Sequence, residues 1–169
     1  MSIAQSMLPE FDQEMATTRR VLERVPEDRM DWRPHEKSYP LGALATHVAN
    51  LLSWTGITLD GDGFDVNPKD GPNAQPPLCR TTEELVTRFD ENVAAARAAL
   101  AGASDQKMFE NWSLRNGGEV AFTLPKVAVL RSFVMNHLIH HRAQLSVYLR
   151  LCDVPLPSIY GPTADESPF

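Results

Sequence analysis

The stretch of sequence that decides the fold is LPKVAVLRSFVMNHLIHHRAQLSVYLRL, residues 124–151. After Pro125 it contains neither glycine nor proline, and Val134, Leu145 and Tyr148 fall on one side of a helical projection. Proline is tolerated in the first turn of a helix, because its missing N–H would have no intrahelical partner there. This stretch therefore predicts one long helix with an apolar side that faces the protein core.

Three earlier stretches also show helical spacing of apolar residues, and they predict helices over 1–25, 41–58 and 81–101. Pro26 ends the first helix, because a proline ring cannot continue it. The second helix carries His47 on its apolar side. The third begins with a capping box formed by Thr81 and Glu84.

Turn-forming residues mark the segments that are not helical. Asn116-Gly-Gly predicts the turn of a β-hairpin over 110–123, since Asn-Gly supplies the positive φ angles that a tight turn needs. Prolines are concentrated in 68–77 and in 153–169, which are predicted as a loop and an extended C-terminal tail. The expected fold is all-α: a four-helix bundle in a single domain over 1–169, with a small β-hairpin before the last helix.

Composition excludes several function classes. Of 169 residues, 16 are Lys or Arg and 22 are Asp or Glu, so a protein that binds nucleic acid is not expected. No apolar run approaches the roughly 18 residues that a membrane span needs. Cys79 and Cys152 form no CxxC pair, and acidic residues near the N-terminus argue against a signal peptide. We expect a soluble cytoplasmic protein that acts on a small molecule, with no nucleic acid and no membrane as partner.

Three of the five histidines lie close together on the last helix. At about 100° per residue, His141 lies about 40° from His137 on one side, and His140 lies about 60° from it on the other. His137 and His141 therefore share the apolar side, while Arg142 lies on the far side. A buried imidazole without a partner costs on the order of 1–3 kcal/mol. An i, i+4 pair of histidines can reach one metal ion, and His47 is the candidate for the third ligand.

Three neutral imidazoles leave coordination positions open for water or substrate, as in catalytic metal sites. Zn²⁺ and Ni²⁺ are the candidate ions. Gln144, one turn after His141, is a candidate to orient a ligand, and Trp54 and Tyr148 are candidates to shape an apolar pocket. No Asp or Glu shares the histidine side of the last helix, so the catalytic residues stay unassigned.

The residues alone leave other interpretations open. The three histidines can instead be hydrogen-bonded core residues of a bundle without metal. His140 is predicted at the edge of the apolar side and His35 in a surface loop. Cys152 is either a soft ligand or nucleophile, or a small buried side chain.

The acidic run 60–65 lacks the glycine and glutamate of a calcium loop, so it predicts only a turn-rich loop. The tail either closes the pocket or covers the bundle, and we expect it to cover the bundle.

Four segments, in order along the chain, resemble the DinB/YfiT family of metal-dependent proteins. They are VPEDRMDWRPHEKS at 25–38, LGALATH at 41–47, NHLIHHRAQ at 136–144 and VPLPSIYGPTADE at 154–166. The resemblance implies a four-helix bundle, commonly a homodimer, with a divalent metal held by three histidines. The ligand positions of the family fall on His47, His137 and His141.

The resemblance also implies a class of activity. Related families include transferases and isomerases that use a low-molecular-weight thiol. The expected function is therefore a metal-dependent enzyme, either a thiol-dependent S-transferase or a hydrolase of unknown substrate. The alternative is a non-catalytic metal- or ligand-binding stress-response protein, so the sequence leaves open whether the chain is an enzyme.

Overall fold

The computed structural model describes residues 2–69, 71 and 76–167. Its elements, in chain order, are α1 (Ile3–Leu22), α2 (Leu41–Asn50), α3 (Ser53–Asp60), β1 (Gly63–Asp65), α4 (Thr82–Gly102), α5 (Asp105–Phe109), β2 (Asn111–Asn116), β3 (Glu119–Pro125), α6 (Lys126–Val129) and α7 (His137–Leu151). A π-helical segment, Leu130–Asn136, joins α6 to α7 without a break. Parts of the predicted first helix, proline-rich loop and tail (residues 1, 70, 72–75 and 168–169) lie outside the described residues.

The protein is mostly helical, and its long helices surround a shared apolar core. α1 packs on α4 and α7, α2 packs on the same two helices, and α3 packs on α4. Fully buried leucines from α1, α2, α4 and α7 belong to this core, among them Leu22, Leu44, Leu85, Leu138 and Leu145. None of the helices in the described part of the chain has the length and hydropathy that crossing a membrane requires. Because α2 and α7 lie side by side, the histidines of these two helices can face each other.

The region predicted as a β-hairpin belongs to a mixed three-stranded sheet in the order β1-β2-β3. β2 and β3 are antiparallel and turn at Gly117 and Gly118, whose φ angles are 63° and 89°. β1 pairs in parallel with β2, although the sequence predicts an acidic loop there. The Asp65 carboxylate accepts hydrogen bonds from the N–H groups of Gly117 (3.0 Å) and Gly118 (2.7 Å), which holds β1 against the hairpin. The predicted hairpin is therefore present but is not a simple hairpin, because the prediction omits a third strand. That strand is held by Asp65, which bonds to residues 52 and 53 positions later in the chain.

The helix predicted over 41–58 is two helices, α2 and α3. The Ser53 hydroxyl donates a hydrogen bond to the carbonyl of Asn50 at 2.8 Å. In a continuous α-helix this carbonyl would accept from the N–H of Trp54. The N–H of Trp54 bonds instead to the carbonyl of Leu51 at 3.3 Å, the i→i−3 spacing of a tighter turn. Apolar periodicity continues through this turn, so it does not reveal the break.

On the far side of the last helix, Arg142 is buried. The Arg142 side chain is 2% exposed, and its guanidinium lies 2.7 Å from the carboxylate of Glu14 in α1. It also donates to the hydroxyls of Thr18 (3.1 Å) and Tyr160 (2.8 Å). Tyr160 belongs to the C-terminal tail, which packs across α1 and this side of α7. The tail thus covers the face of α7 that carries Arg142.

Candidate metal centre

Three histidines meet in the groove between α2 and α7. His47 lies in the last turn of α2, and His137 and His141 lie one turn apart at the start of α7. The Nε2 atoms of His47 and His137 are 3.3 Å apart, and one ring nitrogen of each histidine lies within 4.8 Å of the others. All three residues are half-buried. The structure therefore brings together the three side chains that the sequence singles out, which we call the histidine triad.

A backbone carbonyl of the π-helical segment orients His137. The Nδ1 atom of His137 lies 3.2 Å from the carbonyl oxygen of Phe133, one turn earlier. A carbonyl oxygen can only accept, so in this contact Nδ1 carries the proton and donates it. In the neutral ring the proton on Nδ1 leaves Nε2 with a free lone pair, and Nε2 is the atom that faces His47.

The side chain of Gln144 does the same for His141. The Nδ1 atom of His141 lies 2.7 Å from the amide oxygen of Gln144, three residues later on the same helix. An amide oxygen can only accept, so Gln144 accepts this hydrogen bond and His141 donates it through Nδ1. The Nε2 atom of His141 is then unprotonated in the neutral ring. Gln144 is therefore in contact with the triad, and its role in orienting a ligand stays a prediction.

The donor set fits a divalent cation. In a tetrahedral site with metal–nitrogen distances of about 2.0–2.1 Å, two ligand nitrogens lie about 3.3–3.4 Å apart. The 3.3 Å between the Nε2 atoms of His47 and His137 has that spacing. Metal-ligating histidines commonly donate their second N–H to an oxygen, as His137 and His141 do here. Within the described residues, this triad is the group of three side chains placed to hold a metal ion.

Burial lowers the pKa of every imidazole in the triad. The pKa of His47 falls to about 4, first because burial disfavours the charged ring and then because of repulsion from His141 and His137. Burial is also the largest cause of the lowered pKa of His137, followed by repulsion from His141. At His141 the hydrogen bond to Gln144 opposes burial, and the pKa is still lowered. The triad is therefore neutral at pH 7, the protonation state in which imidazole binds metal.

The other histidines and Cys152 lie outside the triad. His140 is exposed, with its ring centroid 4.9 Å from that of His141. His35 is exposed in a loop, where its Nδ1 accepts a hydrogen bond from the N–H of Lys37 at 3.1 Å. Burial raises the pKa of the Cys152 thiol, which disfavours the thiolate that a ligand or nucleophile would need.

A cluster of aromatic side chains borders His137. Its members come from α3, the sheet and the π-helical segment, and we call four of them the aromatic wall: Trp54, Phe64, Phe122 and Phe133. The ring centroids of Phe133 and His137 are 5.7 Å apart, and Trp54 meets Phe133 edge to face at 5.2 Å. Sequence reasoning found Trp54 and missed Phe133, although Phe133 stands one helical turn before His137. Tyr148, also expected in the pocket, packs edge-on against Trp32 at 5.7 Å.

Comparison with known proteins identifies relatives by sequence and by structure. Residues 1–168 match the model of the DinB family. No curated protein matches the chain. The family resemblance drawn from the sequence segments is thus confirmed over nearly the whole chain.

Solved structures share the fold at low sequence identity. A DinB-like protein from Bacillus cereus ATCC 10987 superposes with a TM-score of 0.72 at 17% identity, covering 94% of this chain and 98% of its own. A DinB-like protein from Bacillus subtilis gives 0.68 at 17% identity, with 91% and 96% covered. A DinB family member from Exiguobacterium sibiricum 255-15 gives 0.61 at 22% identity, with 98% of both chains covered. At these identities the likeness concerns the fold.

Proposed function

The chain belongs to the DinB family, and on this basis we propose that it is a metal-dependent enzyme whose histidine triad binds one divalent cation, Zn²⁺ or Ni²⁺. The observation that carries the proposal is the 3.3 Å separation of the Nε2 atoms of His47 and His137. Two hydrogen bonds also support the proposal: Nδ1 of His137 and Nδ1 of His141 each donate to an oxygen, so the Nε2 atom of each ring keeps its lone pair.

The residues around the triad favour thiol chemistry. When bound, the cation supplies a Lewis acid that stabilises a thiolate or hydroxide near neutral pH. The carbonyl of Phe133 and the amide of Gln144 keep the Nε2 atoms of His137 and His141 unprotonated. The Phe133 ring of the aromatic wall packs beside His137. In the described residues no carboxylate is among the charged groups that shift the pKa of the triad, so none is placed beside it to act as a general base. A low-molecular-weight thiol, once ionised, is itself the nucleophile, so we place a thiol-dependent S-transferase ahead of a hydrolase.

We further propose the finer features of the architecture and setting. The helix from Lys126 to Leu151, together with α1, α2 with α3, and α4, forms the four-helix bundle of a single domain over 1–169. The pairwise packing of these helices supports this arrangement. The chain has 22 acidic and 16 basic residues, which supports a protein that acts on small molecules rather than on nucleic acid. We also propose that it is cytoplasmic.

Metal content tests the proposal directly. The protein is purified without a nickel column, and bound metals are measured by mass spectrometry beside a His47→Ala/His137→Ala/His141→Ala variant. We expect about one equivalent of divalent metal in the native protein and none in the variant. His140→Ala is the matched control, because it removes an exposed histidine next to the triad, and it should keep the metal. Metal retained by the triple variant would place the binding site elsewhere.

Turnover separates the enzyme from a metal-binding protein without activity. The assay follows consumption of 1-chloro-2,4-dinitrobenzene by glutathione in the presence of metal-loaded protein, with a panel of further electrophiles and thiols. We expect a rate that requires both protein and metal and is lost in the triple variant. Full metal occupancy without turnover on any pair in the panel would favour the non-catalytic metal- or ligand-binding role.

A further inference from the structure

The triad brings no negative charge to its site. Its hydrogen bonds in the described residues end on a backbone carbonyl and a neutral amide. The repulsions that lower the three pKa values come from other histidines, and no carboxylate contributes to them. A divalent cation held here therefore keeps its charge uncompensated by the chain. Because the site is half-buried, solvent screens that charge less than it would at an open surface. An anionic group of a ligand is its natural complement.

The side chains of the aromatic wall next to His137 are uncharged, and their rings pack edge to face. Phe133 contacts both His137, at 5.7 Å between centroids, and Trp54, at 5.2 Å and 90°. Phe64 extends this surface by packing edge-on against Trp54 at 5.1 Å, and 39% of Phe64 is exposed. Aromatic faces and edges of this kind bind planar rings through edge-to-face and offset contacts in addition to burying apolar area. A ring held here would lie within one side-chain length of the triad.

We propose that the site takes a small organic monoanion with an aromatic body. Its anionic group faces the histidine triad, and its ring lies against Phe133 and Trp54 of the aromatic wall. This inference rests on the proposed metal binding and adds the class of ligand to it. Neither feature alone defines the class: the triad selects the charge, and the wall selects the ring.

The test compares two carboxylates, benzoate with a phenyl ring and acetate with a methyl group in its place. Benzoate and acetate are titrated into protein loaded with Co²⁺, and affinities are measured by calorimetry and by the change in the visible Co²⁺ spectrum. Phe133→Leu removes the ring of the aromatic wall that contacts His137 and keeps an apolar side chain. Phe109→Leu is the matched control, because Phe109 is 63% exposed on α5, outside the wall. Gln144→Glu adds a negative charge beside His141, and thermal melting checks that each variant is folded.

The two features predict two separate effects. Benzoate should bind about tenfold more tightly than acetate, a ratio that corresponds to about 1.4 kcal/mol. Phe133→Leu should reduce this ratio to about twofold, while Phe109→Leu leaves it unchanged. Gln144→Glu should weaken both anions by a similar factor and leave their ratio unchanged.

Each contrary result points to a specific error. If Co²⁺ binds but benzoate and acetate bind alike, the ligand class is wrong and the metal proposal stands. If Phe133→Leu leaves the preference for benzoate intact, the placement of the ring against Phe133 is wrong. If Gln144→Glu does not weaken the anions, the charge argument is wrong. If Co²⁺ does not bind at all, the metal proposal and this inference are both wrong.

Discussion

The contact between Gln144 and His141 determines which nitrogen of that imidazole is available to a ligand. The amide oxygen holds the proton on Nδ1 at 2.7 Å, so Nε2 keeps its lone pair. Gln144 is exposed, and its role in stability is therefore small. Its effect should be visible in metal affinity rather than in the free energy of unfolding.

Gln144→Leu removes the acceptor and keeps a side chain of similar bulk. We expect metal affinity to fall about 10- to 100-fold, the range typical when such an acceptor is lost. Gln144→Glu keeps an oxygen at the same place and should bind metal at least as tightly as the native protein. Gln13→Leu, an equally exposed site on α1, is the control. Competition with a chromogenic chelator measures the affinities, and an unchanged affinity in Gln144→Leu would contradict the assigned contact.

The grouping of side chains on α7 was predictable because three and four residues are the spacings that place side chains on one side of a helix. This spacing identifies His137 and His141 as a pair and Gln144 as a neighbour. It does not identify the carbonyl of Phe133 as a hydrogen-bond acceptor for His137. That carbonyl belongs to a π-helical segment. The spacing of apolar residues does not show where the backbone changes from α-helical to π-helical hydrogen bonding.

Among the strands and helices of the described residues, β1 and α5 are not predicted from the sequence. β1 has three residues, and its pairing partner β2 lies about fifty positions later, beyond the reach of any local pattern. α5 is similar, a short helix whose start is capped by the hydroxyl of Ser104. The hairpin turn at 116–118 was predictable, because its geometry depends on glycine at adjacent positions.

Gly63→Ala tests the close approach of β1 to β2. A Cβ atom at Gly63 would lie 2.6 Å from the carbonyl oxygen of Ser113, a backbone atom that cannot move without disturbing the strand. We expect a loss of about 1–3 kcal/mol in the free energy of unfolding, measured by urea denaturation. Gly102→Ala, where a Cβ meets nothing within 4 Å at the end of α4, should cause no loss. Equal stabilities of the two variants would mean that β1 does not pack as described.

Across the whole molecule, Arg142 links three parts of the chain that are distant in sequence. It contacts Glu14 in α1 and Tyr160 in the tail, and both oxygens of Glu14 also accept from the Tyr160 hydroxyl at 2.9 Å. The helical projection places Arg142 on the side opposite the histidines but does not show that α1 and the tail cover it. Its partner in α1 lies 128 positions away, so only the assembled fold reveals the pair.

Arg142→Met keeps an unbranched side chain and removes the charge. We expect it to cost about 3–5 kcal/mol, because the Glu14 carboxylate stays buried without its partner. Arg150→Met removes an exposed arginine that pairs with Asp165, and it should cost less than about 1 kcal/mol. Chemical denaturation of both variants provides the comparison, and similar losses in both would show that burial of the pair has little effect.

Homodimerisation stays a prediction from the family resemblance. Val147 and Leu151 lie one turn apart on α7, 58% and 56% exposed, and a second copy of the chain would remove them from water. Sedimentation at micromolar concentration should give twice the 18.8 kDa mass of the chain. Val147→Glu/Leu151→Glu should give the monomer, whereas Val120→Glu, on an equally exposed strand position, should not. If the native protein sediments as a monomer, the prediction of a homodimer is wrong.

The placement of His47 and His137 has a consequence for the connectivity of the chain. They are 90 positions apart, and α3, the sheet, α4 and α5 all lie between them. A cation shared by both would act as a reversible cross-link that closes this long loop and restricts the unfolded chain. Chelation would then resemble the reduction of a disulfide: the protein would unfold at a lower temperature, and a cut within the loop would no longer leave its two ends tied together.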